Sequence, residues 1–103
     1  MGCNHSILCR IKKLMKLETE EAVARRICNL MHAERKVKKI SQQKLCEDLG
    51  ITQGLLSKIE NEKLKPSVYV WLTFCRLFSL DSEIAMSEGQ FKKRMSLLKK
   101  QNA

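Results

Sequence analysis

The chain has 103 residues, 20 Lys plus Arg against 11 Asp plus Glu, and a formal net charge of +9, which describe one small domain with the charge to seek a polyanionic partner. A chain of this size buries only about two-thirds of the surface its unfolded form exposes, so two independent domains are excluded and a second copy would add stability. At 44% hydrophobic and 30% charged, with one Pro and four Gly, it is excluded from the disordered and low-complexity classes as well.

Ile7, Ile11, Leu14 and Met15 recur at helical spacing among Arg10, Lys12, Lys13 and Lys16, which reads as a basic amphipathic helix or an unused leader over residues 1–21. Thr19 followed by Glu20 and Glu21 is a helix start, because a hydroxyl cap and an acidic first turn both satisfy the positive N-terminal end. That helix is expected to run to about Lys38 with Val23, Ile27, Leu30 and Met31 as its apolar stripe. Ser41 caps a short helix over 42–49, Gly50 supplies the left-handed residue that ends it, and Thr52 caps another over 53–60. Asn61 to Pro66 is a polar loop. Ser67 opens a helix carrying Val68, Val70, Trp71, Leu72, Phe74, Leu77 and Phe78, so apolar that burial on most sides is expected. Asp81 to Met86 reads as one more short turn or helix. Ser87 and Gln90 form a capping box for a last helix with Phe91, Met95 and Leu98 on one stripe. No strand signal and no repeat appear, so the expected class is all-α.

The charge excess sits at the two ends. Residues 1–17 hold four basic residues and no acid, residues 90–103 hold five and no acid, and residues 18–89 balance 11 against 11. Basic ends around a neutral body suit segments that touch phosphate oxygens, and suit equally a solvated face that keeps the protein soluble.

The segment from Gln42 to Glu60 carries the strongest signal. Leu45, Leu49, Ile51, Leu56 and Ile59 are what two helices joined by a tight turn at Gly50 need to bury one shared face, and Cys46 is small where the helices meet. This pattern resembles the helix-turn-helix of the phage-repressor and Cro-type family, also called XRE-like, with the likeness extending from about residue 27 to 86. The resemblance implies a five-helix DNA-binding domain over 22–86 between the basic extension 1–21 and a C-terminal basic helix 87–103. It also implies that the second helix of the motif enters the major groove. Carried over by position, the DNA-facing residues become Thr52, Gln53, Gly54 and Lys58, with Ser57 nearby. Gln53 has the geometry to pair with adenine, Lys58 to reach guanine acceptors, and Thr52 to hold a phosphate. Gln42 matches the family glutamine that pins the sugar-phosphate backbone and braces the recognition glutamine, and Asn61 matches a backbone contact. Arg35 stands where the family arginine pairs with the glutamate ending the recognition helix, here Glu60. Two residues depart from the pattern: Glu34 replaces a usual apolar neighbour of that arginine, and Glu62 stands where the family favours Gly.

The other features carry less. Five cysteines without a Cys-x-x-Cys pair point to reduced thiols, and Cys3, His5 and Cys9 match no standard metal site, so no cofactor is expected. Met1 to Ser6 fits a short acylation pattern that matches easily by chance. Val68 to Cys75, the longest nearly apolar run, is far short of the ~20 residues a membrane span needs, and Arg10, Lys12 and Lys13 break any secretory core. A cytoplasmic, nucleoid-associated, non-enzymatic protein is therefore expected, since His5 and His32 are isolated and no nucleophile and base stand together. The expected function is that of a sequence-specific regulator, in the first instance an autorepressor binding an inverted repeat of double-stranded DNA as a homodimer. Phe91, Met95, Leu98 and Phe78 are the candidate dimer surface, with an intramolecular cover over Trp71 and Phe74 as the alternative. An antitoxin-like or other protein-interaction module that binds a partner through the terminal segments is the competing function.

Overall fold

The computed structural model describes residues 19–102, so the amphipathic segment, the acylation pattern and the Cys3, His5 and Cys9 group lie outside the described residues. The described chain forms helices and no strand: α1 (Glu20–Val37), α2 (Gln42–Leu49), α3 (Gln53–Glu60), α4 (Val68–Phe78), a 3-10 turn (Ser82–Ala85) and α5 (Glu88–Asn102). The helix starts follow directly from side-chain chemistry. Thr19, Ser41, Thr52 and Ser67 each take extended backbone and accept a hydrogen bond from the amide three residues on. Each such cap is worth about 1 kcal/mol. Gly50 ends α2 at φ 74, the left-handed conformation that costs glycine little and other residues more.

The core joins Leu30 and Met31 of α1, Leu45 and Leu49 of α2, Leu56 and Ile59 of α3, and Trp71 and Phe74 of α4. Phe74 is fully buried and stacks between Trp71 and Phe78, with ring centroids 6.0 and 4.2 Å away. Two expectations about burial change here. The α4 helix is not covered on most sides: Val68 and Tyr69 are both 74% exposed, and Leu72 and Leu77 are exposed too. The helix is buried along Val70, Trp71, Phe74 and Cys75, with Phe78 half-buried at its end.

The second change concerns the end of the chain. The α5 helix packs on α1 and the 3-10 turn, so it does not mainly cover Trp71 and Phe74. Leu98 is 2% exposed, and Phe91, Met95 and Phe78 are half-buried against the same core. The stripe assigned to a dimer surface is thus used within the chain. What holds α5 in place is ionic as well as apolar. Arg94 clasps the fully buried Glu34 of α1 with Nε and Nη2, and Lys38 Nζ donates to Glu34 Oε1 at 2.7 Å. Arg26, also buried, donates from Nε to the Ala85 carbonyl at 2.8 Å and reaches Glu88 at 3.4 Å. Burial alone would push the Glu34 carboxyl up, but the hydrogen bonds from Arg94 and Lys38 outweigh it and hold the group below its ordinary value. Glu34 departs from the family pattern, then, because this chain carries a cationic helix to receive it.

Candidate nucleic-acid interface

The turn between α2 and α3 is closed by backbone bonds from Gly50 N to Glu47 O and from Ile51 N to Cys46 O, at 3.2 and 3.0 Å. Leu56 and Ile59, at 0% and 1% exposure, press one face of α3 into the core, and burying each contributes about 1.5–3 kcal/mol. With that face fixed, the opposite one must point outward. Thr52, Gln53, Gly54, Lys58 and Asn61 are all exposed on it, and Ser57 is half-buried at its edge. Leu55 is half-buried against the core, so it packs and does not join this surface.

Each polar group on the surface has a definable capacity. The Thr52 hydroxyl accepts from Leu55 N at 3.1 Å, which leaves its proton to donate outward. Gln53 and Lys58 project an amide and an ammonium into solvent, the two chemistries that match adenine and guanine edges in the major groove. An added Cβ at Gly54 would meet nothing within 4 Å, so glycine is not required there by the chain's own packing. Asn61 turns back on its helix: Nδ2 donates to the Ser57 carbonyl at 2.9 Å and lies 3.4 Å from the Ser57 hydroxyl. A phosphate contact from Asn61 would require that amide to reorient or to use its backbone.

Behind the surface, Glu60 gathers three helices. Arg35 of α1 donates Nε to Oε2 at 2.8 Å and Nη2 to Oε1 at 2.9 Å, and Gln42 of α2 donates Nε2 to Oε1 at 3.1 Å. His32 Nδ1 lies 2.8 Å from the same oxygen, and Arg35 Nη1 also donates to the Ile40 carbonyl at 2.8 Å. The Glu60 side chain is only 2% exposed. Burial alone would raise its carboxyl, but Arg35, His32 and Gln42 outweigh that and hold it below its ordinary value. Arg35 and Glu60 are therefore a buried, bidentate pair and not a loose surface contact. Gln42 directs its amide to Glu60, where the resemblance implied a brace for Gln53.

His32 was not legible as part of this hub, since nothing in its neighbourhood of the sequence distinguishes it from a solvent-facing histidine. Glu62 explains a second departure. It takes φ 60, a left-handed conformation that favours glycine, and Asn29 Nδ2 reaches its carboxylate at 3.2 Å with Arg25 Nε at 4.0 Å. Among the described residues Cys28, Cys46 and Cys75 are all buried, away from the surface. Burial pushes the Cys28 and Cys75 thiols up to about 11, the opposite of activation. Among the described residues no three His, Cys, Asp or Glu side chains form a metal cluster, and no helix is long and apolar enough to cross a membrane.

No curated protein and no solved structure matches this chain. A helix-turn-helix family profile does, over residues 31–83, which span the Arg35–Glu60 hub, both helices of the motif and the apolar α4. With more than half of its length matched and the all-helical fold in agreement, the chain belongs to the Cro/XRE-type helix-turn-helix family of DNA-binding regulators.

Proposed function

We propose that the protein is a sequence-specific transcriptional regulator that represses its own or neighbouring genes by laying α3 in the major groove of an inverted repeat. The observation that carries this reading is the face of α3. Thr52, Gln53, Gly54 and Lys58 stand exposed among the described residues, on a helix held by buried Leu56 and Ile59 and by the Glu60 hub. Gln53 and Lys58 are assigned to base edges, Thr52 and Gln42 to phosphates, and Ser57 and Asn61 to the rim of the contact. Reading an inverted repeat calls for two copies on a two-fold axis. Val68, Leu72 and Met86, exposed beside Val23 and Pro66 along one apolar groove of about 430 Å³, offer a homodimer the surface that the α5 stripe does not. Such a protein works at the nucleoid without a cofactor.

The test is footprinting on the gene's own upstream region, followed by affinity measurements with Gln53→Ala and Lys58→Ala. Each variant is expected to lose about 1–3 kcal/mol on the specific site with little change on unrelated duplex. If both bind the natural partner as the unaltered protein does, the fold serves a protein-interaction module, of the antitoxin kind or another, and the reading fails.

A further inference from the structure

We infer that α5 carries a second phosphate-gripping row, Lys92, Ser96 and Lys99, which holds the DNA backbone beside the segment read by α3. The inference rests on the proposed groove docking of α3 and extends the contact to a helix outside the matched family region. Three observations carry it.

The first is position. On α1, Arg25, Asn29, His32 and Lys36 follow one another at spacings of four, three and four, so they share a face. One side of that face meets the end of the recognition helix, through Asn29 and Arg25 on Glu62 and His32 on Glu60. The other side meets α5, where Asn29 borders a shallow groove with Lys92, Ser96 and Lys99. The lysine row is therefore linked, across one helix, to the C-terminal end of α3, where Asn61 stands exposed.

The second is charge. Glu60 and Glu62, the acids beside this face, are engaged by Arg35, His32, Gln42, Asn29 and Arg25. Lys92 lies 3.8 Å from Glu88, but its side chain is 73% exposed, so that pair is weak and exchangeable. Lys99 and Ser96 are exposed. The surface thus presents cations and a hydroxyl to an anionic partner, and seven residues of helix span ~10.5 Å, close to the axial rise over three nucleotide steps of one strand at ~3.4 Å each.

The third is rigidity. The Arg94 clasp on buried Glu34 and the burial of Leu98 fix the rotation of α5, so the row is held in place before any ligand arrives. Lys93 and Lys100 lie on another side of the same helix, Lys93 beside Ile84 and Leu97, and provide an internal control.

The experiment measures affinity of the full chain for a mixed-sequence duplex of about three helical turns over ~50–200 mM salt. The double variant Lys92→Gln/Lys99→Gln is expected to lower the slope of log affinity against log salt by about 1.8, so that the unaltered protein loses about tenfold more affinity over that range. The Lys93→Gln/Lys100→Gln variant should keep the original slope. An unchanged slope in the first variant, or an equal drop in both, overturns the row while leaving base reading by α3 intact. A protein that binds no duplex at any salt removes the groove docking itself.

Discussion

Replacing Arg94 with leucine isolates the contact that ties α5 to the rest of the molecule. The substitution leaves the Glu34 carboxylate, at 0% exposure, with Lys38 as its remaining cationic partner. Removing one member of a buried pair typically costs 3–5 kcal/mol because the other charge is stranded in a poor solvent. Two features reduce that here: Lys38 keeps its 2.7 Å bond, and the Arg94 side chain is 24% exposed, so water can partly replace it. The expected loss is about 2–3 kcal/mol, or ~10–20 °C in melting temperature for a chain of this size. Urea unfolding followed by circular dichroism measures it. The double variant Glu34→Leu/Arg94→Leu removes both charges and restores the apolar residue usual in the family, so it should recover most of the loss. If Arg94→Leu costs less than ~0.5 kcal/mol, or if the double variant is as unstable as the two single losses added together, the pair does not hold α5 and the argument is wrong.

Two further outcomes follow from the same geometry. Glu34 and Glu60 both sit below their ordinary values in the folded state, so the stability they contribute is present above the usual carboxylate range and is lost as pH falls through the lowered folded values. Unfolding free energy should therefore decline on acidification below about pH 5, and Glu60→Gln should flatten that decline; superimposable profiles would show that the hub is not ionic. Gly54→Ala separates stability from recognition. With open space around a Cβ, it should raise stability by a few tenths to about 1 kcal/mol, since glycine in a helix is costly, while weakening DNA affinity by crowding the bases. Undiminished affinity would place the bases farther from α3 than proposed.

Local chemistry made most of the fold legible in the sequence. The boundaries of α2 and α3, the caps at Ser41, Thr52 and Ser67, and the left-handed Gly50 depend on interactions within four residues, so spacing and residue type suffice to place them. The inward and outward faces of α3 follow for the same reason, because Leu56 and Ile59 leave Gln53, Gly54 and Lys58 no other direction. The Arg35–Glu60 pair was readable only through the resemblance, since 25 residues separate its members.

The tertiary structure decided how charges meet across the chain and which apolar surfaces are covered. Arg94 and Glu34 stand 60 residues apart, and neither residue carries a local mark of its partner. The Phe91, Met95 and Leu98 stripe announces a helix that must be buried, but periodicity says only that a face is apolar, not whether its own chain or a second copy buries it. The converse holds for α4, whose Val68, Leu72 and Leu77 look like core in sequence and remain exposed because no element of the described chain covers them. Burial belongs to the assembled surface, whereas helix ends and helix faces belong to the chain alone.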